Sequence, residues 1–519
     1  MKKTLFGLAI FASLSCLRAQ APAAAAPQAR PKLLLMIAVD QFRFDYLTRF
    51  RNEYNAGLAQ LLRQGAVFTN ANYEHMPTIT AVGHATMLTG ASPSMSGIIG
   101  NDWYERDTGK LTTSVEDTGS ELLGGDGVGS TPKRLLVSTV ADEIKMAARG
   151  ESKTIGISLK DRSAILLPGR MADASYWFAE ENGSWVTSTW YMKQLPKWVA
   201  DVNARRPADQ FLGKSWVPLA GGAPLAKMST TPDTMFYSAV EGSPYGNDIL
   251  EEFAELAIEN EKLGQHAGID VLTVSFSSND KIGHAHGPDS AQAHDVSVRT
   301  DRVLGKLFAY LDKKIGMKNV LVALTADHGV APMPEVNTAR KMPGGRIKEK
   351  EMTDALETKL NEKFGVGKWV AAKKGEQVFL SPTLLEQHGA ARVRETAAAV
   401  LRNFAHVNRV YTKEQLVNGQ TMQDKVGKRL VNGYHASRGA DLVIVLDPYW
   451  IYGTTSTTHG SPFGYDTHVP IILMGPGVKA GRYHTAAAVN DIAPTLATIL
   501  EVEVPSGSMG RVLAEALVH

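Results

Sequence analysis

Ionisable side chains stand at or shortly after the ends of four apolar runs in this sequence. They are Asp40, Lys160, Asp280 and the neighbours Asp327 and His328. A single acidic residue in such a place is an ordinary helix cap. In open α/β sheets, however, ligands bind beyond the carboxyl ends of the strands. The recurrence of carboxylates, an imidazole and an amine at these ends therefore predicts one shared binding site.

The same residues have the chemistry of a metal centre. His284 follows Asp280 by four residues, and in a helical turn this spacing places both side chains on one face, where they can bind one ion. Asp327 and His328 offer two further ligands in a compact loop. Each pattern alone is common, but together with Asp40 they supply enough oxygen and nitrogen ligands for two zinc sites.

A candidate nucleophile lies in the segment 77–84, PTITAVGH, ahead of a predicted helix that runs to Thr89 and Gly90. Thr80 falls at or near the start of this helix, where the dipole and the free N–H groups favour an anion. Two alternatives stay open at this point, because Thr80 could serve only as the helix cap and Thr78 could be the nucleophile. His84 is most simply explained as a packed helix residue.

The elements that must position these residues alternate between strands and helices. Continuous, β-branched apolar runs are typical of strands buried on both faces, as in a parallel sheet. They cover residues 33–39, 154–159, 271–276, 320–325, 442–446 and 469–474. Helical periodicity covers residues 56–64, 293–315 and 491–500. This alternation predicts an α/β fold with crossover connections.

Two stretches interrupt the alternation and are interpreted as insertions. Residues 171–245 contain five of the eight tryptophans, which predicts an inserted cap with its own small core. Residues 333–440 begin with Pro-, Gly- and Lys-rich loop material and continue with predicted helices at 352–364 and 393–404. We expect both stretches to be additions to one large domain that covers residues 32–515.

Composition excludes several classes of protein. Among 519 residues, 44% are hydrophobic and 21% are charged, which excludes a disordered chain, a collagen-like repeat and a coiled coil. The net charge of +2 gives no basic field, so no nucleic-acid partner is expected. The one cysteine, Cys16, excludes a disulfide framework and a cysteine-based zinc site.

The N-terminus has the pattern of a secretory signal peptide. Lys2 and Lys3 precede an apolar run over residues 5–17, and small residues follow at Ala19 and Ala21. The alternative is a buried N-terminal helix. We interpret residues 1–20 as the signal peptide and residues 21–31, APAAAAPQARP, as a Pro/Ala linker. The mature protein is expected to be periplasmic or secreted, without stable membrane insertion.

Seven motifs in order give the chain a family resemblance. They are AVDQFRFDYL, PTITAVGHATMLTG, GIIGNDWY, SLKDRSAILLPGR, SFSSNDKIGHAHGP, TADHG and THGSPFGYDTHVPI, and the resemblance covers about residues 31–515. With them the chain resembles the bacterial single-chain, phosphate-irrepressible alkaline phosphatases. These enzymes belong to the type I phosphodiesterase/nucleotide pyrophosphatase branch of the alkaline phosphatase superfamily.

The resemblance implies a fold and a set of roles. The implied fold is an alkaline-phosphatase-like α/β/α sandwich around a mostly parallel sheet. The implied ligands of one zinc ion are Asp40, Thr80, Asp327 and His328, with Thr80 as nucleophile, and those of the other are Asp280, His284 and His459. Asn101, Lys160 and Arg162 match the residues that bind the phosphoryl oxygens. Lys160 and Arg162 are two positions apart, and on a continuing strand this spacing would place both side chains on one face. The last ligand of the family precedes a glycine, which favours His459 over His468, and His286 is expected to pack or to line the rim.

The resemblance also implies an activity. We expect a zinc-dependent alkaline phosphatase that hydrolyses small phosphate monoesters through a phosphothreonine intermediate, with two zinc ions per monomeric chain. The alternatives are a phosphodiesterase or nucleotide pyrophosphatase on the same bimetal core and a non-catalytic phosphate-binding protein. Lys160 and Arg162 argue against the diesterase, because a dianionic monoester needs more positive charge. Thr80 excludes a sulfatase, since formylglycine is made from Cys or Ser.

Overall fold

An eleven-stranded sheet forms the core of the computed structural model, which describes residues 30–518. In chain order its strands are Leu33–Val39 (β1), Ala66–Phe68 (β2), Glu116–Leu123 (β3), Val128–Ser130 (β4), Thr154–Ser158 (β5), Ala174–Ala179 (β6), Ser184–Ser188 (β7), Asp270–Phe276 (β8), Val320–Thr325 (β9), Ile471–Met474 (β10) and Gly481–Tyr483 (β11). Their order across the sheet is β11-β2-β10-β9-β1-β8-β5-β6-β7-β3-β4.

The centre of the sheet is parallel and aligns the ends of three strands. The five strands β9, β1, β8, β5 and β6 pair in parallel, whereas β10 and the strands beyond β6 pair antiparallel. In the register, Val39 of β1 lies opposite Phe276 of β8, and Ala38 lies opposite Thr325 of β9. The chain therefore leaves these three strands at the same edge of the sheet.

Helices cover the sheet in two layers. In one layer the helix Ala291–Lys314 contacts both Gly57–Gln64 and Pro244–Asn260. In the other layer Thr80–Thr89 contacts Val140–Ala147, Asp161–Leu166 and Ile492–Leu500. Every residue of β1 is buried, as expected for a strand with cover on both faces. The predicted α/β sandwich is confirmed, with a sheet that is parallel at its centre and mixed at its flanks.

A second, four-stranded sheet stands apart from the main one. Its strands are Val370–Lys374, Gln377–Leu380, Leu442–Leu446 and Val407–Thr412, all paired antiparallel. The prediction that 442–446 is a strand of the parallel sheet is therefore wrong. The physical reason is that the two faces of this strand pack into two different small cores, one containing Ile444 and the other Val445. A continuous apolar run indicates that both faces of a strand are buried, but it does not indicate whether the strand pairs in parallel or antiparallel.

The two predicted insertions take different forms. Within 171–245, β6 and β7 extend the main sheet and Trp185 lies in the main core, which differs from the expected separate cap core. The remainder contains helices Lys197–Arg205 and Thr234–Glu241. Residues 333–440 contain Glu349–Phe364, Pro382–His388, Ala390–Arg402 and Lys425–Gly433, and they supply three strands of the second sheet.

The predicted signal peptide and nearly all of the predicted linker lie outside the described residues. Within residues 30–518 no helix has both the length and the apolar character that a membrane crossing requires.

The helix Thr80–Thr89 packs tightly against the loop that follows β9. A Cβ atom on Gly83 would lie 2.2 Å from the carbonyl oxygen of Asp327, which belongs to backbone and cannot rotate away. The helix ends at Gly90, whose positive φ of 66° is readily adopted by glycine. Glycine at position 83 therefore sets the distance between the start of this helix and Asp327.

We predict that Gly83→Ala destabilises the protein by about 1–3 kcal/mol, because overpacking forces the backbone apart. Urea denaturation measures the change. The matched control is Gly242→Ala, where the new Cβ would meet its nearest atom at 3.4 Å and φ is −79°. This control should change stability by less than about 0.5 kcal/mol; similar losses in both variants would contradict the packing argument.

Candidate active site

Three buried carboxylates meet beyond the aligned ends of β1, β8 and β9. Asp40 directly follows β1, Asp327 lies two residues after the end of β9, and Asp280 lies in the helix Ser278–His286 that follows β8. Each is at most 5% exposed. Charged groups are rarely buried without compensation, so this edge needs cations or hydrogen-bond donors.

One group of candidate ligands consists of Asp280, His284 and His459. The expected helical turn is present, and His284 Nε2 lies 3.2 Å from Asp280 Oδ1. His459 Nε2 lies 3.1 Å from His284 Nε2 and 3.7 Å from the same carboxylate oxygen. Ligands around a tetrahedral zinc ion stand about 3.3–3.5 Å apart, given bond lengths of about 2.0–2.1 Å. The three atoms are thus spaced for one shared ion.

A second group contains Asp40, Asp327, His328 and, unexpectedly, His84. His328 Nε2 lies 3.2 Å from Asp327 Oδ2. His84 lies between the two carboxylates, with ring nitrogens 3.5 Å from Asp40 Oδ1 and 3.7 Å from Asp327 Oδ2. Distance alone would group Asp40, Asp327 and His84 as metal ligands. His84 Nε2, however, already lies 2.8 Å from Ser275 Oγ, which favours His328 as the ligand.

Backbone carbonyls fix the orientation of the three predicted ligand histidines. The Nδ1 atoms of His284, His328 and His459 lie 3.0, 2.8 and 2.8 Å from the carbonyl oxygens of Thr457, Gly329 and Thr78. A carbonyl can only accept, so each Nδ1 carries a proton and each Nε2 faces the site. Histidines that bind metals are commonly oriented in this way.

Two fully buried polar atoms at the centre of the second group, Asp327 Oδ2 and His328 Nε2, lie 3.2 Å apart without the geometry of a hydrogen bond. The described residues give neither atom another hydrogen-bond partner. Unpaired buried polar atoms are rare in folded proteins and need an explanation. A divalent cation between them would satisfy both atoms, and their O and N donors suit zinc. The residues present therefore fit a metal centre.

Lys160 lies where the two groups meet. Its Nζ is 3.0 Å from Asp40 Oδ2 and 2.6 Å from Asp280 Oδ2. Burial alone would lower the pKa of Lys160, but the carboxylates of Asp280 and Asp40 raise it above its usual value. Likewise, burial would raise the pKa of Asp280, whereas Lys160 and His284 hold it well below its usual range. The site therefore concentrates negative charge that attracts cations.

The expected geometry of Lys160 and Arg162 is wrong in one respect. The sequence predicted a continuing strand that places both on one face, but β5 ends at Ser158 and Lys160 precedes the helix Asp161–Leu166, which contains Arg162. Both side chains nevertheless line one pocket of about 590 Å³. The described residues leave Nε of Arg162 without a hydrogen-bond partner. Two cationic side chains thus share one cavity.

Thr80 is the first residue of its helix, and Ile79 occupies the capping position. The structure therefore does not use Thr80 as the helix cap, while the Thr78 hydroxyl donates to the Ser461 carbonyl at 2.8 Å. Asn101 Oδ1 accepts from the backbone N–H of Ala81 at 2.9 Å, which places its amide beside Thr80. This arrangement supports Thr80 over Thr78 as the nucleophile.

The two other histidines of the sequence motifs have different surroundings. His468 Nε2 lies 3.0 Å from the Thr69 carbonyl and its ring stacks on Phe44 at 4.6 Å. His286 ends the helix that carries His284, and partial burial lowers its pKa. Neither belongs to the two ligand groups found among the described residues.

Sequence reasoning missed Gln41 and Ser275 and gave His84 only a packing role. Gln41 donates from its backbone N–H to Asp327 Oδ1 at 2.9 Å and from Nε2 to Asp280 Oδ1 at 2.6 Å. Its φ of 59° is rare for a residue other than glycine, and such backbone strain is concentrated at functional sites. Ser275 donates to Asp40 Oδ1 at 2.7 Å. The position of Gln41 directly after Asp40 was the one signal available in the sequence.

Comparisons with known proteins place the chain in a family and identify relatives of nearly full length. The family model described as "Type I phosphodiesterase / nucleotide pyrophosphatase" matches residues 34–468. A protein of Myroides odoratus named "Calcium-transporting ATPase" is 35% identical over 99% of both chains. Alkaline phosphatase PhoV of Synechococcus elongatus is 37% identical and covers 94% of this chain and 93% of its own. The crystal structure of wild-type alkaline phosphatase PafA has a TM-score of 0.88 at 33% identity, and the match covers 95% of this chain and 100% of that one.

Proposed function

The chain belongs to the type I phosphodiesterase/nucleotide pyrophosphatase family, and on this basis we propose that it is an alkaline phosphatase that hydrolyses phosphate monoesters through a covalent phosphothreonine at Thr80. One observation carries the proposal. The backbone around Thr80 contacts a histidine of each ligand group, because the Thr78 carbonyl lies 2.8 Å from His459 Nδ1 and the Thr80 carbonyl lies 2.8 Å from His84 Nδ1. These backbone contacts hold the start of the helix, which carries the Thr80 hydroxyl, between the two candidate ligand groups. A hydroxyl close to two bound cations would be suited to attack phosphorus.

The proposed reaction has two displacements. The Thr80 oxygen attacks phosphorus, the P–O bond to the alcohol breaks, and the alcohol leaves; water then attacks the phosphothreonine and releases inorganic phosphate. The start of the helix Thr80–Thr89 favours the anionic phosphoryl group. When bound, two zinc ions at Asp40/Asp327/His328 and Asp280/His284/His459 would supply the positive charge that stabilises the attacking and leaving oxygens.

The other polar residues bind the phosphoryl oxygens. Because Asn101 Oδ1 is occupied by the Ala81 N–H, its Nδ2 is the group available to donate to a substrate oxygen. Arg162 can present a planar fork and Lys160 a point charge. Positioning and charge are what phosphoryl transfer chiefly requires.

Two other activities remain as alternatives to be tested. A diesterase is suggested by the family model, and ATP hydrolysis by the name of the Myroides relative. We also propose that residues 1–20 direct export and that the mature chain acts as a monomer.

The direct test of the activity compares release of nitrophenol from a nitrophenyl monoester and a bis-ester with release of phosphate from ATP. A higher kcat/KM on the bis-ester than on the monoester would contradict the proposal.

We predict about two zinc ions per purified chain and loss of activity with a chelator, restored by added zinc. His459→Ala should lower the zinc content by about one ion per chain, because it removes one of three ligands of its group. His468→Ala is the matched control, and it should keep both ions. Elemental analysis measures the content; a loss of zinc in His468→Ala that is absent in His459→Ala would show that the ligand was assigned to the wrong histidine.

We predict that Thr80→Ala abolishes turnover through the phosphoenzyme and that Thr80→Ser keeps substantial activity, since serine retains the hydroxyl. The protein is allowed to react with a labelled monoester, quenched with acid and digested. Mass spectrometry of the peptides then shows which residue carries the phosphoryl group. Thr78→Ala is the comparison variant, because its hydroxyl is bonded to the Ser461 carbonyl. A phosphoryl group on residue 78 would refute the assignment.

We predict that Arg162→Ala lowers the ratio of kcat/KM for a monoester to kcat/KM for a diester. A lost charge-assisted hydrogen bond is worth on the order of 1.5–3 kcal/mol, or about 10- to 150-fold in kcat/KM. A diester lacks the third free oxygen, so its rate should change less. Lys160→Ala should act in the same direction, but its zinc content must be measured alongside because Lys160 also contacts Asp40 and Asp280. Equal losses on both substrates would favour the diesterase.

A further inference from the structure

A turn of the second sheet reaches the loop that carries Asn101. The strands Val370–Lys374 and Gln377–Leu380 form a hairpin in which Lys374 and Gln377 pair across the turn. Gln377 Nε2 donates to the Ile99 carbonyl at 3.1 Å, and Lys374 forms an ion pair with Asp102. The turn therefore contacts the chain on both sides of Asn101.

The contact between the hairpin and this loop is continuous with a packed core. Phe379 of the hairpin lies in the same apolar cluster as Ile99, Trp103 and the helix residues Ala81 and Val82. The cluster therefore joins the second sheet, the Asn101 loop and the start of the nucleophile helix. Packed interiors transmit displacements, because they contain little free volume.

The same turn also lies near the other side of the site. Glu376, within the turn, has its Oε2 atom 3.6 Å from the position that a Cβ on Gly460 would occupy, directly after His459. Within residues 30–518, Asn101 itself forms two hydrogen bonds: its side chain accepts from the Ala81 N–H and its carbonyl accepts from the Ser114 N–H. Its position therefore depends on how the loop is held from outside.

We infer that Gln377 and Lys374 are positioning residues that hold the Asn101 loop so that Asn101 Nδ2 meets a non-bridging phosphate oxygen. This inference rests on the proposed function and extends it, because it gives the second sheet a part in phosphate binding. Neither side chain touches substrate. Their effect must pass through Asn101, and this requirement makes the inference testable.

The experiment is a double-mutant cycle. Gln377→Ala and Lys374→Ala are each made alone and with Asn101→Ala, and kcat/KM for nitrophenyl phosphate and the inhibition constant of inorganic phosphate are measured. Each single change should weaken both quantities by about 3- to 10-fold, as expected for one hydrogen bond or one partly exposed ion pair. With Asn101 already replaced by alanine, the further loss should fall below about twofold.

Two more variants separate positioning from general stability. Lys359→Ala breaks an exposed ion pair with Glu362 in the helix Glu349–Phe364 and should leave both constants unchanged. Lys374→Asp combined with Asp102→Lys restores the pair with reversed charges and should recover most of the loss. The inference would be overturned if the single changes left both constants unaltered. It would also be overturned if they had the same effect in the presence of Asn101 as in the Asn101→Ala background. Absence of monoesterase activity in the unmodified enzyme would instead refute the proposed function.

Discussion

The structure depends on burying three carboxylates side by side. Asp40, Asp280 and Asp327 are each at most 5% exposed, and like charges in such a place are unfavourable unless they are compensated. Lys160 contacts two of them, and the third takes a backbone hydrogen bond from Gln41. The aligned register of the parallel strands brings the charges together, and the surrounding cations and donors make their proximity tolerable.

The same concentration of charge explains why the neighbouring histidines His328 and His459 differ in pKa. The pKa of His328 rises to about 9, because the attraction of Asp327 outweighs burial, whereas burial and the nearby His328 lower the pKa of His459 well below its usual value. The two rings stack with centroids 3.4 Å apart. A neutral imidazole is the form that binds a metal, so the proposed binding of zinc would be opposed by the raised pKa of His328 and favoured by the lowered pKa of His459.

The sequence could predict the central strands because apolar runs report burial directly. The bounds 33–39 and 320–325 coincide with β1 and β9. The same signal failed for Leu442–Leu446, since burial on two faces does not reveal which sheet a strand joins. The charged residues after β1, β8 and β9 were predictable because they follow the strands closely. Gln41 and Ser275 were not, because their roles depend on partners far away in the sequence.

The long connections within the site have a consequence for how the protein folds. Gln41 forms one hydrogen bond from its side chain to Asp280 and one from its backbone to Asp327. These partners lie 239 and 286 positions away from it in the sequence. Contacts of such separation form slowly, because the entropy of closing long loops is lost before they contribute stability. The ligand groups therefore exist only once β1, β8 and β9 have paired. Metal ions at the proposed ligand groups could therefore bind only after the sheet has formed, so the sheet has to fold without their help.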